Sequence, residues 1–174
     1  AYADRGRLDR YNEGAAYIFS FNDTTITELH KLTAVYSNGE HGETYGDKFG
    51  WSVGISGNYA IVGARGHDAW TESGERKGNI GTAYIFSFDD STFNQNNKLM
   101  ASDAFEDNGS KYNFGQSVAI DGNYAIVGAN YFDTTPLLVN GSAYIFKNNG
   151  NNQWNEVYKI NPSDAASSDN FGYS

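Results

Sequence analysis

The chain of 174 residues contains no cysteine, which removes disulfides, thiolate metal sites and cysteine nucleophiles together. Basic residues are scarce: 12 Lys and Arg stand against 21 Asp and Glu, a net charge of −9. Nucleic acids and anionic membranes need clustered cations to displace their counterions, so neither is expected as a partner. Arg5, Arg7 and Arg10 are interleaved with Asp4 and Asp9 and form no basic patch. No run approaches the eighteen or so apolar residues of a membrane helix, so no membrane insertion is expected. The N-terminus, Ala1-Tyr2-Ala3-Asp4, has neither an initiator methionine nor a signal peptide, which leads us to expect a processed product or a slice of a longer chain.

What is present is aromatic and repetitive. Hydrophobic residues make up 39% of the chain and aromatic ones 16%, too rich a supply for disorder. Gly-x-Ala-Tyr-Ile-Phe occurs at Gly14, Gly81 and Gly141, and Gly-Asn-Tyr-Ala-Ile-Val-Gly-Ala occurs at Gly57 and Gly122. Phe-Gly-x-Ser occurs at Phe49, Phe114 and Phe171. The fixed order of these phrases defines a unit of about sixty residues, the mark of a propeller, solenoid or array. The expected divisions are 1–48 (partial), 49–113, 114–170 and 171–174, the last being the start of another unit.

Within a unit the apolar stretches are short, rich in Val, Ile, Tyr and Phe, and separated by Gly, Asn, Asp and Ser, which is strand and turn chemistry. The expected strands are A, about 50–56; B, 59–64; C, 82–88; and D, 97–101. Gly57-Asn58 between A and B is a two-residue hairpin signal. In Tyr59-Ala60-Ile61-Val62 and Ala83-Tyr84-Ile85-Phe86 both alternating sets of side chains are apolar, so both faces of each sheet must be covered. A propeller covers them by packing each four-stranded blade between its neighbours, where Gly63-Ala64 and Gly128-Ala129 suit the crowding. Val53, Ile55, Ile61, Val62, Ile85 and Phe86 are the expected core. Lys31, Lys98 and Lys159, at matching places on strand D, read as charged guards against edge-to-edge pairing.

Phe-Gly-x-Ser-Val at Phe49 and Phe114, followed by Ile-Val-Gly-Ala and Ala-Tyr-Ile-Phe, resembles the FG-GAP repeats of integrin alpha-chain propellers, in particular the short variety found in large extracellular and cell-surface proteins. The resemblance covers essentially the whole chain and implies an all-β propeller of four-stranded antiparallel blades, commonly seven. Ala1 sits where Ala64 and Ala129 sit in their units, and Ser174 falls four residues into a further strand A, so about two and a half blades are expected. Closed propellers need at least four. The remaining blades are therefore expected from a longer chain or from other copies.

The integrin-type repeats that bind calcium carry an Asp/Asn-rich loop between strands A and B. Here that place holds only Ser56-Gly57-Asn58 and Asp121-Gly122-Asn123. One carboxylate cannot supply the six to eight oxygens Ca²⁺ takes, so no metal or other cofactor is expected. Asp103, Glu106, Asp107, Asp164 and Asp169, in the D-to-A connections, are a weaker acidic set that reads more simply as turn carboxylates capping backbone amides. His30, His41 and His67 lie in separate contexts without metal-ligand spacing or a serine elbow. No enzyme is expected; one would reveal itself by a cleft gathering His67 with carboxylates from another blade.

The B-to-C loops differ most between units. Arg65, Asp68 and Trp70 in one, Tyr131, Phe132 and Asp133 in the next, mix aromatic and charged side chains as binding loops do; the plainer reading folds Trp70 and Phe132 back over the blade edge. Arg5, Arg7 and Asp9 occupy the first such loop. Asn22, Asn108 and Asn140 head Asn-x-Ser/Thr glycosylation acceptors. These features lead to an expected non-catalytic extracellular or cell-surface binding or adhesion module with a protein or glycan ligand. The rival reading is a structural building block of an extracellular filament or coat.

Overall fold

The computed structural model describes residues 14–34, 46–89, 91–105, 112–130, 141–164 and 169–174, and every regular element among them is a β-strand. The strands are β1 (Ala16–Phe21), β2 (Ile26–Leu32), β3 (Phe49–Ser56), β4 (Tyr59–Ala64), β5 (Ala69–Trp70), β6 (Arg76–Lys77), β7 (Thr82–Asp89), β8 (Thr92–Leu99), β9 (Phe114–Asp121), β10 (Tyr124–Ala129), β11 (Ser142–Asn148) and β12 (Trp154–Ile160). Two antiparallel four-stranded sheets, β3-β4-β7-β8 and β9-β10-β11-β12, are blades of a β-propeller in the order A-B-C-D. A two-stranded sheet, β1-β2, matches strands C and D of a blade, and β5-β6 is a small hairpin within a B-to-C loop.

Strand D differs from expectation. It runs Thr92–Leu99 rather than 97–101. Apart from Phe93, Thr92 to Asn96 is polar and shows no apolar alternation, so its pattern does not mark a strand. Tertiary context supplies the order: Asp89 Oδ1 accepts from the Thr92 hydroxyl at 2.9 Å and closes the turn, which zips Thr92 to Asn94 against Asp89 to Ser87. The β5-β6 hairpin was equally silent, being two residues a side.

The β3-β4-β7-β8 sheet divides its side chains by parity between two cores. Ala60, Val62, Ala64, Tyr84 and Phe86 of the β3-β4-β7-β8 blade pack with Ala16 and Leu32 of β1-β2, whereas Ile61, Ala83 and Ile85 pack with Phe114, Val127 and Tyr144 of the next blade. The two phrases that define the repeat meet inside these cores. Phe49 lies 5.5 Å from Tyr84 and 6.1 Å from Phe86, and Phe114 lies 5.4 Å from Tyr144 and 6.0 Å from Phe146, the same tilted and edge-on geometry in both blades.

Backbone approach between neighbouring blades is closer than any side chain allows. A Cβ on Gly63 would overlap the carbonyl oxygen of Gly115 and the hydroxyl of Ser52, and one on Gly128 would overlap the carbonyl of Gly172 and the hydroxyl of Ser117. The serines complete the joint, Ser52 Oγ donating to Gly115 O at 2.8 Å and Ser117 Oγ to Gly172 O at 3.1 Å. Parallel bridges Gly14–Phe49, Gly81–Phe114 and Gly141–Phe171 repeat at the three junctions.

Ile61, Val62, Ile85 and Phe86 are buried as expected, but Val53 and Ile55 are 61% and 59% exposed. Their equivalents Val118 and Ile120 pack against the larger core, facing the preceding blade. Val53 and Ile55 face the β1-β2 side, where the described residues supply only the outer two strands of a sheet. Gly63→Ala is expected to destabilise the chain by roughly 3 kcal/mol in urea unfolding, because backbone atoms must retreat. Gly57→Ala, in open space at φ 53°, should lose about 1 kcal/mol from the left-handed turn alone. Equal losses would refute the close-approach explanation.

Candidate functional site

Antiparallel order places the start of A, the end of B, the start of C and the end of D at one rim, so B-to-C loops and D-to-A connections share it. The opposite rim carries the short turns Gly57-Asn58 and Gly122-Asn123. Strands B and C repeat almost unchanged, β4 and β10 both being Tyr-Ala-Ile-Val-Gly-Ala, whereas strand D differs between blades. On the loop rim the residues flanking the conserved strand ends also differ, Lys48, Trp51 and Arg65 standing where the next blade has Asn113, Gln116 and Asn130.

Arg65, the first residue after β4, lays its guanidinium 3.5 Å from the centroid of the Trp51 ring and donates from Nη1 to Gln116 Oε1 of the next blade at 2.8 Å. Its Nε is buried with no acceptor among the described residues. Lys48 brings Nζ to 5.8 Å from the same indole, and burial together with Arg65 lowers its pKa. Lys48, Trp51 and Gln116 were not singled out in the sequence. The available signal was the variation around Phe-Gly: Lys48, Asn113 and Asn170 precede the phenylalanine, and Trp51, Gln116 and Tyr173 follow the glycine.

Asp68 takes a role inside its loop rather than at the surface. It is buried, and its Oδ1 accepts from the Asn79 amide at 2.7 Å while Oδ2 pairs with Arg76. The carboxylate thus anchors both ends of the β5-β6 hairpin. Trp70 stands on β5 and is 59% exposed, not folded back over the blade edge. Tyr131, Phe132 and Asp133 lie outside the described residues, as do Arg5, Arg7, Asp9, His41, Glu106, Asp107, Asn108 and Asn140. Asn22 is exposed in the β1–β2 turn, its Oδ1 accepting from the amides of Thr24 at 3.1 Å and Thr25 at 2.9 Å.

His67 does meet a carboxylate. Nδ1 lies 3.1 Å from Asp47 Oδ2, and Nε2 lies 2.7 Å from Lys98 Nζ. An ammonium can only donate, so the network assigns the ring proton to Nδ1, which donates to Asp47. Burial lowers the Lys98 pKa, and Asp47 opposes the shift. With His67 only 3% exposed, this chain of groups faces protein rather than a cleft. It ties the D-to-A connection, the B-to-C loop and strand β8 together.

Lys159 makes the comparable link in the next blade, pairing with Asp103, whose Oδ1 accepts from the Tyr144 hydroxyl at 2.9 Å. Burial alone would raise the Asp103 pKa, but hydrogen bonds from Lys159 and Tyr144 outweigh it and hold the carboxyl below its ordinary range. Burial and Asp103 push the Tyr144 hydroxyl up. Lys98 and Lys159 do sit on outermost strands, yet their ammonium groups reach inward to partners, a role beyond guarding an edge. His30 packs edge-on to Phe93, 5.4 Å between centroids. Asp164 and Asp169 are exposed, and among the described residues no three His, Asp or Glu side chains converge as a cation would require.

Four-stranded antiparallel blades with cores shared between neighbours, joined at glycine contacts, define an all-β propeller-type repeat protein. The FG-GAP repeat model matches residues 26–86 and 93–146, about two thirds of the chain, and the chain belongs to the FG-GAP repeat family. No curated protein matches it.

Asp103 gives a pH dependence of defined sign. A carboxyl with a lowered folded pKa contributes stability that is complete above its unfolded value, about 4, and lost as pH falls through the folded value. The melting midpoint of the native chain should therefore exceed that of Asp103→Asn at neutral pH, and the gap should close in acid; a gap independent of pH would refute the assignment. Chelation of divalent cations is expected to leave the melting curve unchanged, because the two-residue A-to-B turns offer a single carboxylate, Asp121. A large drop on chelation would place a cation in the connections.

Proposed function

We propose that this chain is a non-catalytic extracellular or cell-surface binding module that engages a protein or glycan ligand through the rim of B-to-C loops. One observation carries the reading. Strands B and C of successive blades are nearly identical, while the loop rim changes, exchanging Lys48, Trp51 and Arg65 for Asn113, Gln116 and Asn130 and presenting Trp70 on the β5-β6 hairpin. A scaffold that keeps its framework constant and varies one rim places recognition there. Exposure of Asn22 in a turn supports its use as a glycan acceptor.

A structural role in a filament or coat is favoured by a different observation. Val53 and Ile55, with Phe19, Phe21 and Ile26 on β1-β2, present apolar side chains to solvent. Surface of this kind fits contact with further blades, from the same chain or from other copies.

Substitution separates the two readings. Trp70→Ala and Arg65→Ala should each weaken capture of the ligand by roughly 1 to 4 kcal/mol with the fold intact. Asn58→Ala on the opposite rim should have little effect. Ligand capture that survives both rim changes, or recovery of the protein only as an ordered polymer, would transfer the assignment to the structural role.

A further inference from the structure

Resting on the reading of the loop rim as a ligand surface, we propose that Lys48 and Arg65, held by Trp51 and by the buried Gln116, form a binding site for the carboxylate of an acidic sugar, a hexuronate unit of an anionic polysaccharide. Comparison between blades shows what the scaffold itself requires. The next blade holds Asn113, Gln116 and Asn130 where this one holds Lys48, Trp51 and Arg65, and amides satisfy the same backbone. Lys48 adopts φ 56°, as Asn113 does at 50° and Asn170 at 53°. Asparagine tolerates that left-handed region and lysine is disfavoured in it, so the turn does not call for a lysine.

Charge makes the same point. Two cations, Lys48 and Arg65, share one indole. In a chain with 21 acidic and 12 basic residues, this is a pair of cations without an ion-pair partner among the described residues. The repulsion between the two contributes to lowering the Lys48 pKa, and a bound anion relieves it. Arg65 is held over Trp51 and tethered through Nη1 to Gln116, so its guanidinium is oriented before any ligand arrives, which favours directed recognition of an anion.

The neighbouring groups favour a sugar acid over an acidic peptide. Trp70, exposed on the loop that Arg65 opens, offers an aromatic face to the apolar side of an adjoining sugar ring. A peptide carboxylate would use the cations alone.

The test is calorimetric titration of the full chain with oligogalacturonate, with its methyl ester, which has the same sugars without free carboxylates, and with polyglutamate. Oligogalacturonate should bind in a salt-sensitive way, and the other two at least about tenfold more weakly. Lys48→Asn with Arg65→Asn, which transplants the next blade's residues, should abolish binding while the melting midpoint is retained; Trp51→Gln should weaken it. Equal binding of the ester or of polyglutamate, unchanged binding by the double variant, or no binding of oligogalacturonate would each overturn the proposal. If oligogalacturonate fails while another ligand is lost on Trp70→Ala, the rim reading stands and only the acidic sugar falls. If no rim variant alters any captured ligand, the rim reading falls with it.

Discussion

Contact between backbones at the blade junctions governs everything else in this molecule. Gly63 must lie against the Gly115 carbonyl, and Gly128 against that of Gly172, or successive sheets cannot approach closely enough for their side chains to share a core. Packing falls off steeply once a gap opens, because dispersion is lost within an ångström of separation. The serine hydroxyls that reach across to the same carbonyls supply an acceptor with its donor in a place water cannot enter freely. The family signature is therefore a description of a joint: Phe-Gly on one side, Gly-Ala on the other, and Gly-x-Ala-Tyr-Ile-Phe bridging behind them.

Much of this was legible in the sequence because it repeats. Strand B needed no correction, since Tyr59 to Ala64 is apolar on both faces and bounded by Gly-Asn. The start of strand D was illegible: Thr92, Asn94 and Asn96 are placed by a turn and a partner strand, not by any pattern of their own. Burial of Val53 was misjudged for a related reason. A residue's pattern states which face it belongs to, whereas its exposure depends on whether that face meets a complete neighbour. On the rim, Arg65 and Trp70 could be picked out by chemistry alone. Trp51 and Lys48 could not, because their meaning lies in a contact across the turn and in the contrast with Gln116 and Asn113.

Two polar links stabilise the rim without opening it. Asp47, His67 and Lys98 in one blade, and Asp103, Tyr144 and Lys159 in the next, each fasten a D-to-A connection to the outermost strand through different residues. Each brings a lysine that faces a tyrosine across the C–D ladder, Tyr84 opposite Lys98 and Tyr144 opposite Lys159. The chemistry of the link has thus been exchanged while its mechanical purpose is kept, and the loops it frames are left free to differ.

The parity with which β7 divides its residues carries a consequence for how the molecule comes apart. Tyr84 and Phe86 belong to one core, Ala83 and Ile85 to another, so the β3-β4-β7-β8 sheet is shared between two interiors. The cooperative unit is the seam between sheets, and it is bounded by lines running through the middle of each ladder rather than along its edges. Local opening must then release a strand from both cores at once, so the amides of β4 and β7 exchange only when two seams fail, whereas those of β2 exchange with one.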